Sequence, residues 1–207
     1  MTSTTEKYFS LLVVDMWWEE EIKDRERGFT ITFDDSHRKY GQRKPSNYPS
    51  SLRYPSGTLH AGLDAIHDVV RTAHFLKKPI YGVVSDDGYS LAEELLDKSL
   101  HPYISKEHLF MKHGYSAFTS KSLTQRLEED KVARLMIMGF DRDWCVLETI
   151  KSVLEQGIEV ITSETLMLTS GLTDGDIARH YCRNNTTYLE SLVDVYNHLD
   201  PEGKSSL

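Results

Sequence analysis

The 207-residue chain has only two cysteines, Cys145 and Cys182, and only six prolines, three of them crowded between residues 45 and 55. Two cysteines far apart cannot build a disulfide framework, so free thiols in a reducing compartment are expected. No apolar run approaches the length needed to cross a bilayer, and the N-terminus shows no cationic-then-apolar leader; the cytoplasm is the expected location. Basic residues are also short, 24 Lys and Arg against 32 Asp and Glu, for a formal net charge of -8. Without a continuous basic stripe, neither nucleic acid nor an anionic membrane is expected as the main partner, which leaves a small molecule. Internal repeats and low-complexity segments are absent too.

The sequence does contain a continuous alternation of short apolar runs and helical patterns, which reads as a single α/β domain over residues 1–207. Tyr8 to Val14 is a first buried strand closing on Asp15. Leu59, Leu63, Ile66, Val69, Val70, Ala73 and Leu76 keep helical spacing until Pro79, after which Ile80 to Val84 reads as a second strand. A short helix over Leu91 to Leu96, a third strand from Glu107 to Met111 ending at Lys112, and a helix from Ser122 to Glu129 follow. Leu135 to Met138, ending at Gly139, is the fourth strand, and Glu159 to Thr162 the fifth. The tail predicts a helix over Asp174 to Arg183, a strand over Thr187 to Leu189 and a helix over Leu192 to Leu199. Between the first strand and the first helix, residues 16–57 turn polar and form a long insert or lid loop, in which Trp17 and Trp18 either wall a pocket or anchor the loop.

Cys145 stands where an apolar strand gives way to the helical pattern Val146, Leu147, Ile150, Val153 and Leu154. With Asp143 as N-cap, the thiol would lie in the first turn of a helix, facing unpaired N–H groups and the positive end of the dipole, which favour thiolate. The alternative is a small buried hydrophobe. Position favours chemistry, because ligands of open parallel sheets bind at the carboxyl ends of the strands. Asp15, Lys112 and Cys145 follow three such ends and together supply a base, a cation and a nucleophile. Cys182 is expected on the packed face of the tail helix.

Three segments in this order, LLVVDM, KHGYSAF and GFDRDWCVLET, resemble the isochorismatase-like cysteine hydrolases, a family that includes nicotinamidases, N-carbamoylsarcosine amidase and ureido hydrolases. The resemblance covers the chain from Tyr8 to the final helix except for the long loop. It implies a three-layer fold with a six-stranded, mostly parallel sheet flanked by helices, and Asp15, Lys112 and Cys145 as catalytic triad. It also implies a cis peptide between Phe140 and Asp141 and an oxyanion hole from the backbone N–H groups of Asp141 and Cys145. Trp17, Trp18, Tyr115, Phe118 and Arg142 would border the substrate pocket, and a homo-oligomer is expected. Relatives that bind a metal do so through an Asp-x-His pair, where this chain reads Asp86, Asp87, Gly88; His101, His108 and His113 are scattered, so neither metal nor cofactor is expected.

The chain departs from the family pattern beside its nucleophile. Asp141 and Arg142 replace the usual Ala-Thr, and Trp17, Trp18, Glu19 and Glu20 follow the first aspartate. Arg142 either pairs with a neighbouring acid or reads a substrate carboxylate. The expected activity is hydrolysis of a C–N bond in a small amide, carbamoyl or ureido compound through a thioester. A vinyl-ether hydrolase, and an idle protein that binds without turnover, are the alternatives.

Overall fold

The computed structural model describes residues 9–16, 58–86, 88, 91–169 and 176–201. The expected insert with Trp17 and Trp18 lies outside the described residues. Strands β1 (Phe9–Val14), β2 (Ile80–Ser85), β3 (Leu109–Lys112), β4 (Arg134–Phe140) and β5 (Glu159–Ser163), the two-residue β6 (Met167–Leu168) and β7 (Thr187–Leu189) form one sheet. Its order is β3-β2-β1-β4-β5-β7, with β6 paired to the end of β4, and every pairing is parallel. The six expected strands are all present, joined by β6. Helices α1 (Thr58–Phe75), α2 (Ala92–Leu95), α3 (Lys121–Glu129), α4 (Leu147–Glu155), α5 (Asp176–Asn185) and α6 (Leu192–Leu199) complete the α/β architecture.

The alternation of β1 divides the core. Phe9, Leu11 and Val13 point to one face, where they meet Ile66, Val69 and Val70 of α1 and Val195 and Leu199 of α6. Leu12 and Val14 point to the other, against Leu123 and Leu127 of α3, Ile150 and Val153 of α4 and Cys182 of α5. A strand buried on both faces has no polar side to show, which is why residues 11–14 of β1 and 135–138 of β4 are unbroken apolar runs.

Two boundaries differ from expectation, each for a physical reason. Strand β4 runs through Gly139 instead of ending there, and Gly139 adopts φ +131°, where a Cβ would lie 1.9 Å from the Val14 carbonyl oxygen. Glycine is required for β1 and β4 to approach this closely. The third strand begins at Leu109, because Lys106–His108 coil into a 3-10 turn.

Connectivity positions the site. The chain lays β2 and β3 outward on one side of β1 and then crosses back to place β4 on the other. Adjacent strands therefore exit in opposite directions at the carboxyl ends of β1 and β4, opening a crevice there.

Candidate active site

The register brings the three sequence-predicted catalytic residues to that crevice. Val14 pairs with Gly139, so Asp15 and the residues after Phe140 leave the sheet at the same height. Lys112 pairs with Ser85 at the end of β3, two strands from β1, and its long side chain returns across β2. Its Nζ lies 2.8 Å from Asp15 Oδ2, 2.7 Å from the Gly114 carbonyl oxygen and 3.4 Å from Cys145 Sγ. The ammonium donates to the Gly114 carbonyl and to Cys145 Sγ, and its contact with Asp15 is one of charge. Asp15 and Lys112 are each about 1% exposed.

Asp15 is held in the left-handed region at φ 48°, which is uncommon for a residue with a side chain. Ser85 Oγ donates to its Oδ1 at 2.9 Å. Its Oδ2 makes the close charge contact with Lys112 but no well-directed hydrogen bond, leaving lone-pair capacity on a buried carboxylate. Ser85 has no signal in the sequence beyond its place at a strand end.

The segment around Cys145 corrects three expectations. Arg142–Val146 form one wide π-helical turn, and the regular helix starts only at Leu147. Such turns are rare and concentrate at functional sites. Asp141, not Asp143, is the N-cap: its carboxylate accepts from Asp143 N–H at 3.3 Å, and its carbonyl accepts from the N–H groups of Trp144 and Val146. The peptide between Phe140 and Asp141 is cis, as the resemblance implies. Nor does the helix start favour thiolate. Burial, followed by the charge and hydrogen bonding of Asp15, pushes the Cys145 thiol up to about 12, against the partial opposition of Lys112. The resting combination is therefore a neutral thiol beside an Asp15–Lys112 ion pair.

The loop after β3 is tied to the helix after β4. Ala117 N–H donates to Thr149 Oγ1 at 2.9 Å and Ser116 Oγ to Ser152 Oγ at 2.8 Å, which links the lysine and cysteine segments directly. At the surface, the exposed rings of Tyr115 and Trp144 pack at 5.5 Å. Phe118 instead packs against the core of the α3/α4 face.

Arg142 follows the pairing alternative. It is 7% exposed, its Nη1 donates to Glu164 Oε1 at 2.8 Å, and its Nε contacts Asp143 Oδ1 at 3.3 Å. Arg179, through Nε at 3.0 Å and Nη2 at 2.7 Å, and Tyr188 OH also donate to Glu164. These donors, Arg179 foremost, hold the Glu164 carboxyl down at about 2. Asp143 accepts a further bond from Thr169 Oγ1 at 3.0 Å. Nothing in the local sequence singles out Glu164, although it directly follows β5 on the same edge of the sheet.

The three scattered histidines stay apart: His101 contacts the Leu96 carbonyl, His108 contacts Arg126, and His113 pairs with Asp86. Among the described residues no group of three or more His, Cys, Asp and Glu could hold a metal ion, and no helix is long and apolar enough to cross a membrane. Cys182 is fully buried, as expected.

The isochorismatase domain matches residues 87–186, a span that contains both Lys112 and Cys145. Solved structures extend the likeness beyond that span. A nicotinamidase from Staphylococcus aureus superposes with a TM-score of 0.57 at 18% identity, over 88% of this chain and 99% of its own. The fold is isochorismatase-like. Other isochorismatase-like folds agree: N-carbamoylsarcosine amidase from Thermoplasma acidophilum has a TM-score of 0.55 at 16% identity, covering 88% and 96% of the two chains. The MAR1 ribonuclease from Caenorhabditis elegans reaches 0.65 at 14% identity, covering 97% and 85%. No curated protein sequence matches the chain.

Proposed function

We propose that this isochorismatase-like chain is a cysteine-dependent hydrolase of a small amide, carbamoyl or ureido compound. The observation that carries the reading is Lys112 Nζ placed between Asp15 Oδ2, at 2.8 Å, and Cys145 Sγ, at 3.4 Å, in a buried crevice. Two structural neighbours named as amidases point to the same bond type.

A neutral resting thiol suits this chemistry. As Sγ adds to the substrate carbonyl carbon, its proton passes to Asp15, and Lys112 stays beside the sulfur as counter-ion. The oxyanion that forms would be met by the N–H groups of Asp141 and Cys145. Asp15 then gives its proton to the leaving nitrogen as the C–N bond breaks, leaving a thioester. Water adds to the thioester with its proton taken by Asp15; the C–S bond breaks, and Asp15 returns the proton to sulfur. Each half-reaction restores the Asp15–Lys112 ion pair. Tyr115 and Trp144, exposed beside the nucleophile, would border the substrate. Catalysis needs no cofactor in this scheme, and its partner is a small molecule and not RNA, in line with the net charge of -8. A homo-oligomer is part of the proposal.

One observation favours a second reading, an idle binding protein: the raised thiol of Cys145 is unreactive by itself. Incubation with a panel of small amides, carbamoyl and ureido compounds, read for ammonia release and for an acyl adduct on Cys145 after acid quench, separates the two. An adduct that is absent from Cys145→Ala supports the hydrolase. Ligand-dependent thermal stabilisation by panel members with neither product nor adduct supports the idle reading.

A further inference from the structure

Glu164 lies outside the triad, yet it binds together four parts of the molecule. It sits in the 3-10 turn Glu164–Leu166 that follows β5. Its two oxygens take Arg142 Nη1 from the nucleophile turn, Arg179 Nε and Nη2 from α5, and Tyr188 OH from β7. A carboxylate offers about four lone-pair sites, and this one meets four donors. Of the four, only the Arg142 bond enters the turn that carries Cys145. Arg142 is buried, and its remaining contacts with Asp143, at 3.3 and 3.5 Å, are long for charge-assisted bonds. Asp143 in turn is steadied from the far side by Thr169.

We propose that Glu164 is a positioning residue for the nucleophile turn: by holding Arg142 at 2.8 Å it fixes the turn Arg142–Val146 at the depth where Cys145 Sγ meets Lys112 Nζ. The turn needs such an anchor. Its internal bonds, from the N–H groups of Trp144 and Val146 to the Asp141 carbonyl, close the turn on itself and do not tie it to β5. The argument rests on Cys145 being the reactive thiol, but not on the identity of the substrate.

The test uses Glu164→Gln, which keeps the shape and removes the charge, with Arg179→Gln as control. Arg179→Gln strips two donors from Glu164 but leaves the Arg142 bond. Alkylation of Cys145 by iodoacetamide is followed against pH below the melting temperature, with peptide mapping to separate Cys145 from Cys182. Glu164→Gln is expected to change the Cys145 rate by roughly tenfold and to displace its pH midpoint, the scale of a lost charge-assisted bond. It should lower kcat by a similar factor on any substrate found, with KM within about twofold. Glu164→Asp, which keeps the charge, should recover part of the effect. Arg179→Gln should lower the melting temperature while leaving the Cys145 profile unchanged.

A Glu164→Gln profile that overlays the wild type, with only a lower melting temperature, would overturn the proposal. If Glu164→Gln does not fold, the question passes to Glu164→Asp: a Cys145 profile lying away from both the wild type and Arg179→Gln supports positioning, and a wild-type profile refutes it. The outcome is independent of the amide panel. A Glu164-dependent profile with no turnover would retire the hydrolase reading alone, and turnover with an unmoved profile would retire the positioning role alone.

Discussion

Two ionic clusters flank Cys145, one buried around Asp15 and one half-buried around Glu164, and they differ in how completely their charges are satisfied. On one side, Glu164 is saturated by Arg142, Arg179 and Tyr188. On the other, Asp15 receives Ser85 on one oxygen and a charge contact without a directed hydrogen bond on the other. A saturated network resists change because displacing Glu164 takes from the buried Arg142 guanidinium its shortest partner. An incompletely satisfied carboxylate beside a thiol can still accept a proton. On the proposed reading one cluster holds and the other reacts.

The largest expected effect tests that division directly. Cys145→Ala, Asp15→Asn and Lys112→Ala should each lower turnover by at least about a thousandfold, while Arg179→Gln changes it little. Ammonia release from the best panel substrate is the measurement, and a Cys145→Ala variant retaining most of its rate would collapse the distinction.

Labelling should then separate the members of the reactive cluster. The charge of Asp15 raises the thiol and Lys112 lowers it. Asp15→Asn should therefore bring the raised Cys145 thiol down and speed its labelling near neutral pH, although the same variant is expected to be inactive. Lys112→Ala should slow labelling. A thiol that labels more slowly in Asp15→Asn would show that Asp15 is not the group keeping the proton on sulfur.

The holding cluster has its own pH signature. Glu164 is depressed from 4.5 to about 2, so the stability it contributes is fully present above its unfolded value and is lost as pH falls through the folded one. The gap in melting temperature between the wild type and Glu164→Gln should therefore be constant above pH 4.5 and close between 4.5 and 2. A gap that persists at pH 2 would mean that the carboxylate's charge is not what holds the cluster.

The smallest effect concerns Cys182, fully buried on the α3/α4 face. Cys182→Ser should cost about 1 to 2 kcal/mol in denaturant unfolding, through a hydroxyl buried among apolar side chains, and leave the Cys145 labelling profile unchanged. A displaced profile would mean that the packing of α5 against the sheet also sets the environment of Cys145.

The reactive cluster is the more legible of the two in the sequence. Asp15, Lys112 and Cys145 each end an apolar run, and a parallel sheet brings strand ends to one edge. The same rule reaches Glu164, which directly follows β5, but an acid at a strand end looks ordinary until its partners are known. Arg179 and Tyr188 carry no signal, since one lies on an amphipathic helix and the other in an edge strand, and nothing local says where either side chain reaches. The sequence leaves the partner of Arg142 open, and its pattern assigns the N-cap to Asp143. In the structure Asp141 caps the turn, and Asp143 is engaged by Arg142 and Thr169.

By itself the sequence determined the alternation of strands and helices and placed Asp15, Lys112 and Cys145 at strand ends, because burial imposes periods of two and 3.6 residues that can be read locally. The tertiary structure alone decided the protonation of Cys145 and the partners of Arg142. Both depend on charges brought within a few ångströms by strands distant in the chain, in a dry interior where the helix-start effect yields to burial and to Asp15.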